Sequence, residues 1–483
     1  MGPEGATFGA SWIRPGWGLW GPPGPTRMEF AGQKEMVPTL HAPSDGRSPE
    51  RPVEENCWEL APGLFRIQLP LPWDVPFVNA YLVQAPAGWI LVDAGVGTPA
   101  SLRALGWALR AVGVPEGGLT AILLTHRHPD HAGDVITVQR RWGGAVYVHA
   151  ADLDLDRAAP AALDAWIRLT GMPGEVMDAL LRRVERMPLP DDAVAYPEVP
   201  PLADGWRQAG AEPAAVPAAT VAVAGLTLQV VYVPGHSPGH VMLRVPEKGW
   251  VFTGDHVLPR AGMNVWANPV GPANPMGAYL DNLAAVAWLD AVWGAVSGGT
   301  APAPREDAGA GAGGPGRVVS AGQHRTGLDD GPGEGKHGVH ADPDAVGAGG
   351  TGVAPGKTGT VGDRAPSGRV LPGQGTLWSG LVLPGHGLPW SGPMMPHAAA
   401  LIDWHRRAAL ALRDHLPDEP GPTAFEIVAA RRPEDAREKP HRLRGEVAET
   451  LAFLLWMESE GLVGRQGDAP ARWYRLAGRH GGA

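Results

Sequence analysis

Short apolar runs, each closed by glycine, proline or a polar cluster, punctuate the chain. Trp89–Val92, Thr120–Leu124, Ala145–Val148, Leu226–Val233, Trp250–Phe252 and Leu381–Leu383 read as buried strands. Between them, Ala132–Trp142 and Leu280–Val292 read as helices, and Ala161–Met187 shows a broken helical period through Ala162, Trp166, Leu169, Met177, Leu180, Leu181 and Val184. The position of that last region predicts a cover near one sheet edge, as a pocket wall or as plain packing. Downstream, Ala398–Leu416 reads as a helix, and Thr423–Ala429 as a short one with Thr423 as N-cap. Leu443–Glu460 reads as a longer amphipathic helix with Val447, Leu451, Leu454 and Leu455 on its apolar side, stopped by Gly461. Leu462-Val463 and Trp473–Leu476 read as two strands around Gly467-Asp468. The expected fold class is α/β.

The polar residues sit where the strands stop. The run Thr125-His126-Arg127-His128-Pro129-Asp130-His131 follows one strand and opens a helix. Imidazoles and a carboxylate at this spacing suit zinc or a similar divalent ion. One ion cannot easily use all four side chains, since loop geometry sends them in different directions. His126 and His128 can reach one ion, while Asp130 and His131 reach a second. Four other strands end in Asp93-Ala-Gly95, Pro234-Gly-His236-Ser-Pro-Gly-His240, Thr253-Gly-Asp255-His256 and Pro384-Gly-His386-Gly387. Five strands thus deliver polar residues to one edge, with glycines that permit sharp turns.

With these motifs in this order, the chain resembles the metallo-β-lactamase superfamily, and within it the glyoxalase-II-like hydrolases, over roughly Leu60–Trp390. The resemblance implies an αββα sandwich with a two-metal site at one edge. It implies that His126, His128 and His236 bind one ion, that Asp130, His131 and His386 bind the other, and that Asp255 bridges. Asp93 would orient a ligand from behind, and Asp130 would orient the attacking water. The implied cofactor is two Zn2+ per chain, with Mn2+ or Fe2+ as alternatives. His240 is expected to be a structural partner rather than a ligand. His256 has a weaker claim on substrate, and His149 is expected to hydrogen-bond within its loop.

Composition adds domain organisation. The chain has 483 residues with 68 glycines and 51 prolines, which concentrate at its start and near residues 298–375. Residues 1–56 are expected to be a disordered tail, with Met28 and Met36 leaving a later natural start open. Residues 57–395 are expected to form the hydrolase domain. Residues 298–375 would be a flexible surface insertion, too glycine-rich to offset ordering entropy or to fix His324, His337 and His340 as ligands. Within it, Pro355-Gly-Lys-Thr358 lacks the first glycine and the preceding strand of a phosphate loop. The single cysteine, Cys57, excludes an internal disulfide. Neither a secretory signal pattern nor a long apolar run is present, so the cytoplasm is the expected location and no membrane contact is expected.

Residues 396–483 follow the helix, helix, hairpin order of a winged helix, and resemble the winged-helix domain of one branch of the superfamily. His405-Arg406-Arg407 sits where that branch carries a basic linker helix. The segment holds 13 Lys and Arg against 13 Asp and Glu, and the whole chain carries a net charge of −10. Nucleic-acid binding needs a net positive face, so packing or homodimer formation is the favoured role. The expected function is dinuclear zinc-dependent hydrolysis of a small acyl substrate by a metal-bridged hydroxide, foremost a thioester of the hydroxyacyl-glutathione kind. The rivals are a metal-dependent endoribonuclease acting on single-stranded RNA and a catalytically silent binding module. A secreted β-lactamase is disfavoured.

Overall fold

The computed structural model describes residues 56–73, 75–153, 160–174, 188–209, 216–259, 265–268, 270–296, 317–318, 378–438, 443–468 and 470–476. The expectations for the N-terminal tail, for most of the 298–375 insertion, for Met177–Val184 and for Arg442 lie outside these residues.

Two sheets carry the fold. The first contains β1 (Cys57–Ala61), β2 (Leu64–Pro70), β3 (Phe77–Ala85), β4 (Gly88–Val92), β5 (Leu119–Leu123), β6 (Ala145–Val148) and β7 (Val194–Ala195) in sequential order. The second runs β14 (Trp390–Ser391), β13 (Leu381–Pro384), β11 (Trp250–Gly254), β10 (Val241–Val245), β9 (Leu226–Tyr232) and β8 (Ala219–Val223). Strands β4 to β7 pair in parallel, as do β11 and β13. Side chains of β4, β5, β11 and β13 are largely buried, which explains why these strands read as continuous apolar runs, whereas the two residues of β7 are exposed.

Three apolar layers stack across the molecule. Tyr81, Ile90, Val92 and Leu123 of the first sheet meet Leu228, Val230, Leu243 and Phe252 of the second. Behind the first sheet, Leu82, Leu91 and Ile122 pack on α1 (Pro99–Val112) and on a helix at Val135–Trp142 through Leu105, Leu109, Val138 and Trp142. Behind the second, Val231, Met242 and Val251 join a long helix at Pro275–Val296 through Leu283, Val286 and Leu289. The result is a helix–sheet–sheet–helix sandwich. Local chemistry fixes the ends of α1: Thr98 accepts from the Ser101 N–H, Pro99 opens the helix, and Gly113 closes it with φ 93°.

Three expectations need correction. The helix expected at Ala132–Trp142 is two helices, α2 (Pro129–Ala132) and α3 (Val135–Trp142). Asp134 breaks the run because its side chain caps the Thr137 N–H. Within the insertion, Arg317–Val318 (β12) pairs antiparallel with β1, so part of that segment extends the first sheet. The helix expected to be amphipathic, here Arg444–Ser459, is buried on nearly all sides, from Val447 through Leu454, Glu449 and Thr450 included.

That burial follows from where the helix lies. With α4 (Ala150–Leu153), α5 (Pro160–Thr170), α6 (Leu202–Ala209) and α7 (Pro275–Val296) named in chain order, the C-terminal elements are α8 (Met395–Asp414), α9 (Ala424–Arg431), α10 (Pro433–Glu438), α11 (Arg444–Ser459) and the hairpin β15 (Val463–Gln466) with β16 (Arg472–Arg475). Helix α11 contacts α5, α7, α8 and α9 and the first hairpin strand. Leu451, Phe453, Trp473 and Leu412 belong to the same apolar cluster as Val231 and Leu283. His405, expected in a basic linker, is buried with its ring between Tyr279 and Phe453.

Candidate metal centre

Each expected site residue follows a strand end at one edge of the sandwich. Strand β4 delivers Asp93, β5 the His126–His131 loop, β9 His236, β11 Asp255 and β13 His386. Gly385 is required by close approach: a Cβ there would lie 2.3 Å from Asp255 Oδ1. Gly235 has φ 140°, a backbone setting side chains rarely adopt, and abuts the Tyr279 backbone.

The side chains gather into two groups, His126, His128 and His236 in one, and Asp130, His131, Asp255 and His386 in the other. In the first, His126 Nε2 lies 3.0 Å from His128 Nδ1 and 3.2 Å from His236 Nε2. In the second, His386 Nε2 lies 3.1 Å from Asp130 Oδ2. Asp255 Oδ2 sits between the groups, 3.6 Å from His236 Nε2, 3.4 Å from His131 Nε2 and 3.5 Å from His386 Nε2. His126, His131, His236 and Asp255 are buried, whereas His128, Asp130 and His386 are half-buried and mark the open face.

Supporting contacts set the ring orientations. Asp93 Oδ1 accepts from the Thr125 N–H at 2.8 Å, and Asp93 Oδ2 lies 2.8 Å from His131 Nδ1. The Phe77 carbonyl accepts from His386 Nδ1 at 3.1 Å, which leaves Nε2 facing the centre. Asn79 donates to the carbonyls of Pro384 and Gly387, and the Tyr81 hydroxyl also donates to Pro384. Asp152 accepts from the Arg127 and Gly239 N–H groups, tying two histidine-bearing loops together. Nothing local in the sequence marks Asp152, Asn79 or Trp266, whose ring lies 5.3 Å from that of His128. Their partners are distant in the chain, so no spacing pattern exposes them.

The donor set fits divalent ions. Burial, then the neighbouring histidines, holds His126 well below its ordinary pKa, and burial then His236 hold His128 at about 3. His126 and His128 of the first group are therefore neutral imidazoles, the form that binds zinc. Burial alone would lower His131 and His386, but carboxylates outweigh it: Asp255, Asp93 and Asp130 hold His131 well above its ordinary value, and Asp255 and Asp130 hold His386 at about 10. A pocket that gathers this much negative charge invites a cation. Among the described residues, His131 Nε2 and Asp255 Oδ1 are buried with no hydrogen-bond partner, which leaves both unsatisfied.

Three further histidines near these loops make structural contacts. His240 Nε2 accepts from the Asp255 N–H at 3.0 Å. His256 is fully buried against Tyr279 and has no open face for substrate. His149 accepts from the Ala151 N–H and stacks on Tyr232. No helix among the described residues is long and apolar enough to cross a membrane.

Several known proteins are similar to this chain. The lactamase-like protein nscB of Neosartorya fischeri is 28% identical over 222 residues, 45% of this chain and 46% of that protein. An atrochrysone carboxyl ACP thioesterase of a Cryptosporiopsis species is 24% identical over 219 residues, 44% of this chain and 49% of that protein. The chain thus spans about half the length of the curated relatives it matches. The crystal structure of a metallo-beta-lactamase family protein from Thermus thermophilus has the same fold, with a TM-score of 0.55 at 22% identity, over 86% of this chain and 100% of that one. The profile of the metallo-beta-lactamase superfamily matches residues 73–292, which leaves His386 beyond the match although the fold returns it to the same edge. Residues 73–292 are a metallo-β-lactamase superfamily domain.

Proposed function

We propose that the protein is a metal-dependent hydrolase of acyl bonds, thioesters foremost, working with two zinc ions. His126, His128 and His236 would hold one ion, Asp130, His131 and His386 the other, and Asp255 would bridge them. The observation that carries this reading is Asp255 Oδ2 lying within 3.6 Å of ring nitrogens from both groups. When bound, such ions lower the pKa of water toward neutrality and polarise a carbonyl oxygen. The chain does the rest. Asp93 fixes the His131 ring, the Phe77 carbonyl fixes His386, and Asp130 at the open rim orients the attacking water.

Two further observations support an acyl substrate. Trp73 and Val75, a few residues before the Phe77 whose carbonyl meets His386, and Leu388, two residues after His386, are large apolar side chains left exposed. Exposed large apolar groups close in the chain to residues of a polar centre would suit an apolar substrate or carrier. A relative at 24% identity is named an atrochrysone carboxyl ACP thioesterase.

The RNA reading is weaker on the structure's charges. Arg432 pairs with Asp435 and Glu446, Arg472 with Glu426, Arg475 with Asp418, and Arg465 with Glu458. Cations already paired present little net field to phosphate. The winged-helix role in packing or dimer formation therefore stays the favoured proposal. The test is a parallel assay of zinc-loaded protein on a panel of acyl thioesters, acyl-glutathione among them, and on labelled single-stranded RNA. Thioester turnover without RNA cleavage is expected. RNA cleavage, with steeply salt-dependent binding lost in Arg442→Ala/Arg444→Ala, reverses the ranking.

A further inference from the structure

The metal edge has a large aromatic side chain that the roles above leave without a purpose. Trp266 is half-buried and lies with its ring 5.3 Å from that of His128, the ring of the first group that reaches the open face. Its neighbours Val265 and Ala267 are buried in the outer apolar layer. The Ala267 N–H donates to the Ala448 carbonyl of α11 at 2.9 Å. Val265 and Ala267 are thus anchored in the outer layer, while the Trp266 ring between them meets the ring of His128.

The far edge of the indole rests on α11. A Cβ on Gly445 would lie 3.4 Å from Cζ2, 3.7 Å from Cε2 and 3.9 Å from Nε1 of Trp266. There is room for a methyl group and for little more, so a branched side chain at 445 displaces the ring. The indole N–H lies on this edge, buried without a hydrogen-bond partner among the described residues. The surface remaining for the centre is the apolar ring.

We propose that Trp266 is the specificity-determining wall for the substrate's acyl group, that it selects planar or extended apolar acyl groups, and that the first turn of α11 sets its position through Gly445 and Ala448. This deepens the acyl-hydrolase reading and rests on it. The C-terminal segment thereby governs selectivity without supplying a metal ligand. An aromatic partner adds about 0.5–1.5 kcal/mol beyond area burial, which is roughly threefold to tenfold in binding.

The test uses the full zinc-loaded chain and the acetyl, hexanoyl and benzoyl thioesters of N-acetylcysteamine. The readout is the ratio of kcat/KM for benzoyl over acetyl, with KM and kcat resolved. Trp266→Ala is expected to cut this ratio about threefold to tenfold through KM, Trp266→Phe to restore most of it, and Gly445→Val to lower it with zinc content unchanged. A ratio that stays constant in Trp266→Ala, or one that Trp266→Phe fails to recover, overturns the proposal. Calorimetric titration of the same proteins with benzoate and acetate reads the wall without turnover. If no thioester is cleaved, the reaction class falls, and a benzoate preference lost in Trp266→Ala still upholds the wall. If thioesters are cleaved and benzoate preference is unmoved, the wall falls and the reaction class stands.

Discussion

Asp93→Asn separates ion binding from folding. Asp93 is buried at the end of β4 and adopts φ 60°, a left-handed setting that asparagine tolerates nearly as well. The substitution is close to isosteric and keeps an oxygen for the Thr125 N–H, held at 2.8 Å. What changes is the atom 2.8 Å from His131 Nδ1. A carboxylate oxygen accepts the Nδ1 proton and leaves Nε2 free to face the second group. An amide nitrogen donates instead, and it turns the favoured tautomer around, placing the proton on Nε2. Loss of such an orienting partner costs about tenfold to a hundredfold in metal affinity, or about 1.4–2.7 kcal/mol. The effect should fall on the ion held by Asp130, His131 and His386, because Asp93 bonds to His131 and to Thr125. The assay is zinc per chain by elemental analysis after dialysis against a graded chelator, beside a thermal melt of the metal-free protein. One tightly held ion, one weakened by tenfold or more, and a melt within a few degrees of wild type are expected. Equal retention of both ions by the variant would refute the orienting role of Asp93.

Asp255→Ala removes the oxygen lying between the groups; turnover and both ions should be lost with the fold kept, as measured by zinc content and circular dichroism, and a fully active variant would remove Asp255 from the centre. Replacing residues 319–375 by a short Gly-Ser linker should preserve melting temperature and zinc content, because closure entropy grows slowly with loop length; an insoluble product would show that the segment packs on the core. Glu449 is buried in α11 and burial pushes its carboxyl up to about 8. Its folded pKa lies above the unfolded one, so the stability it confers is present below about pH 4.5 and is lost as pH rises toward 8. Glu449→Gln should therefore stabilise the protein at pH 7 by up to the order of 3 kcal/mol and leave pH 4 stability nearly unchanged; equal melts of variant and wild type at pH 7.5 would contradict the burial of this carboxyl.

The candidate ligands were legible because their signals are local. His126 to His131 fall within one loop, and Asp93, His236, Asp255 and His386 each follow an apolar run that stops at a turn. The individual strands were legible as apolar runs, since largely buried strands leave little polar alternation, whereas the sandwich was expected from the family resemblance that the motifs carry. What stayed hidden depends on contacts across the chain. Asp152 joins the Arg127 and Gly239 loops, separations of 25 and 87 residues, and its own surroundings in the sequence are unremarkable. Helix α11 misled for a related reason. Its acidic residues Glu446 and Glu449 suggest a solvent face, yet Glu449 is buried and only the tertiary context of α5, α7, α8 and α9 closes that side. The break at Asp134 was readable in principle, since an Asp that caps a later N–H is a helix-start signal, but the apolar period running through it masked the cap.

The C-terminal segment and the sandwich share one apolar cluster, and this links stability to the placement of the centre. Leu451, Phe453 and Met457 of α11 pack in the cluster that also holds Val231, Met242 and Leu283. Val265 and Ala267, which flank Trp266, belong to it too. The contacts that bury α11 therefore also hold the indole ring beside His128. Substitutions in the middle of α11 alter folding and this wall together, and their effects on turnover carry no separate information. Gly445 is different. It lies in the first turn, faces the indole edge, and has no side chain in the cluster. Adding bulk there moves the ring with little change to buried apolar area, so position 445 is where the two roles of the C-terminal segment come apart.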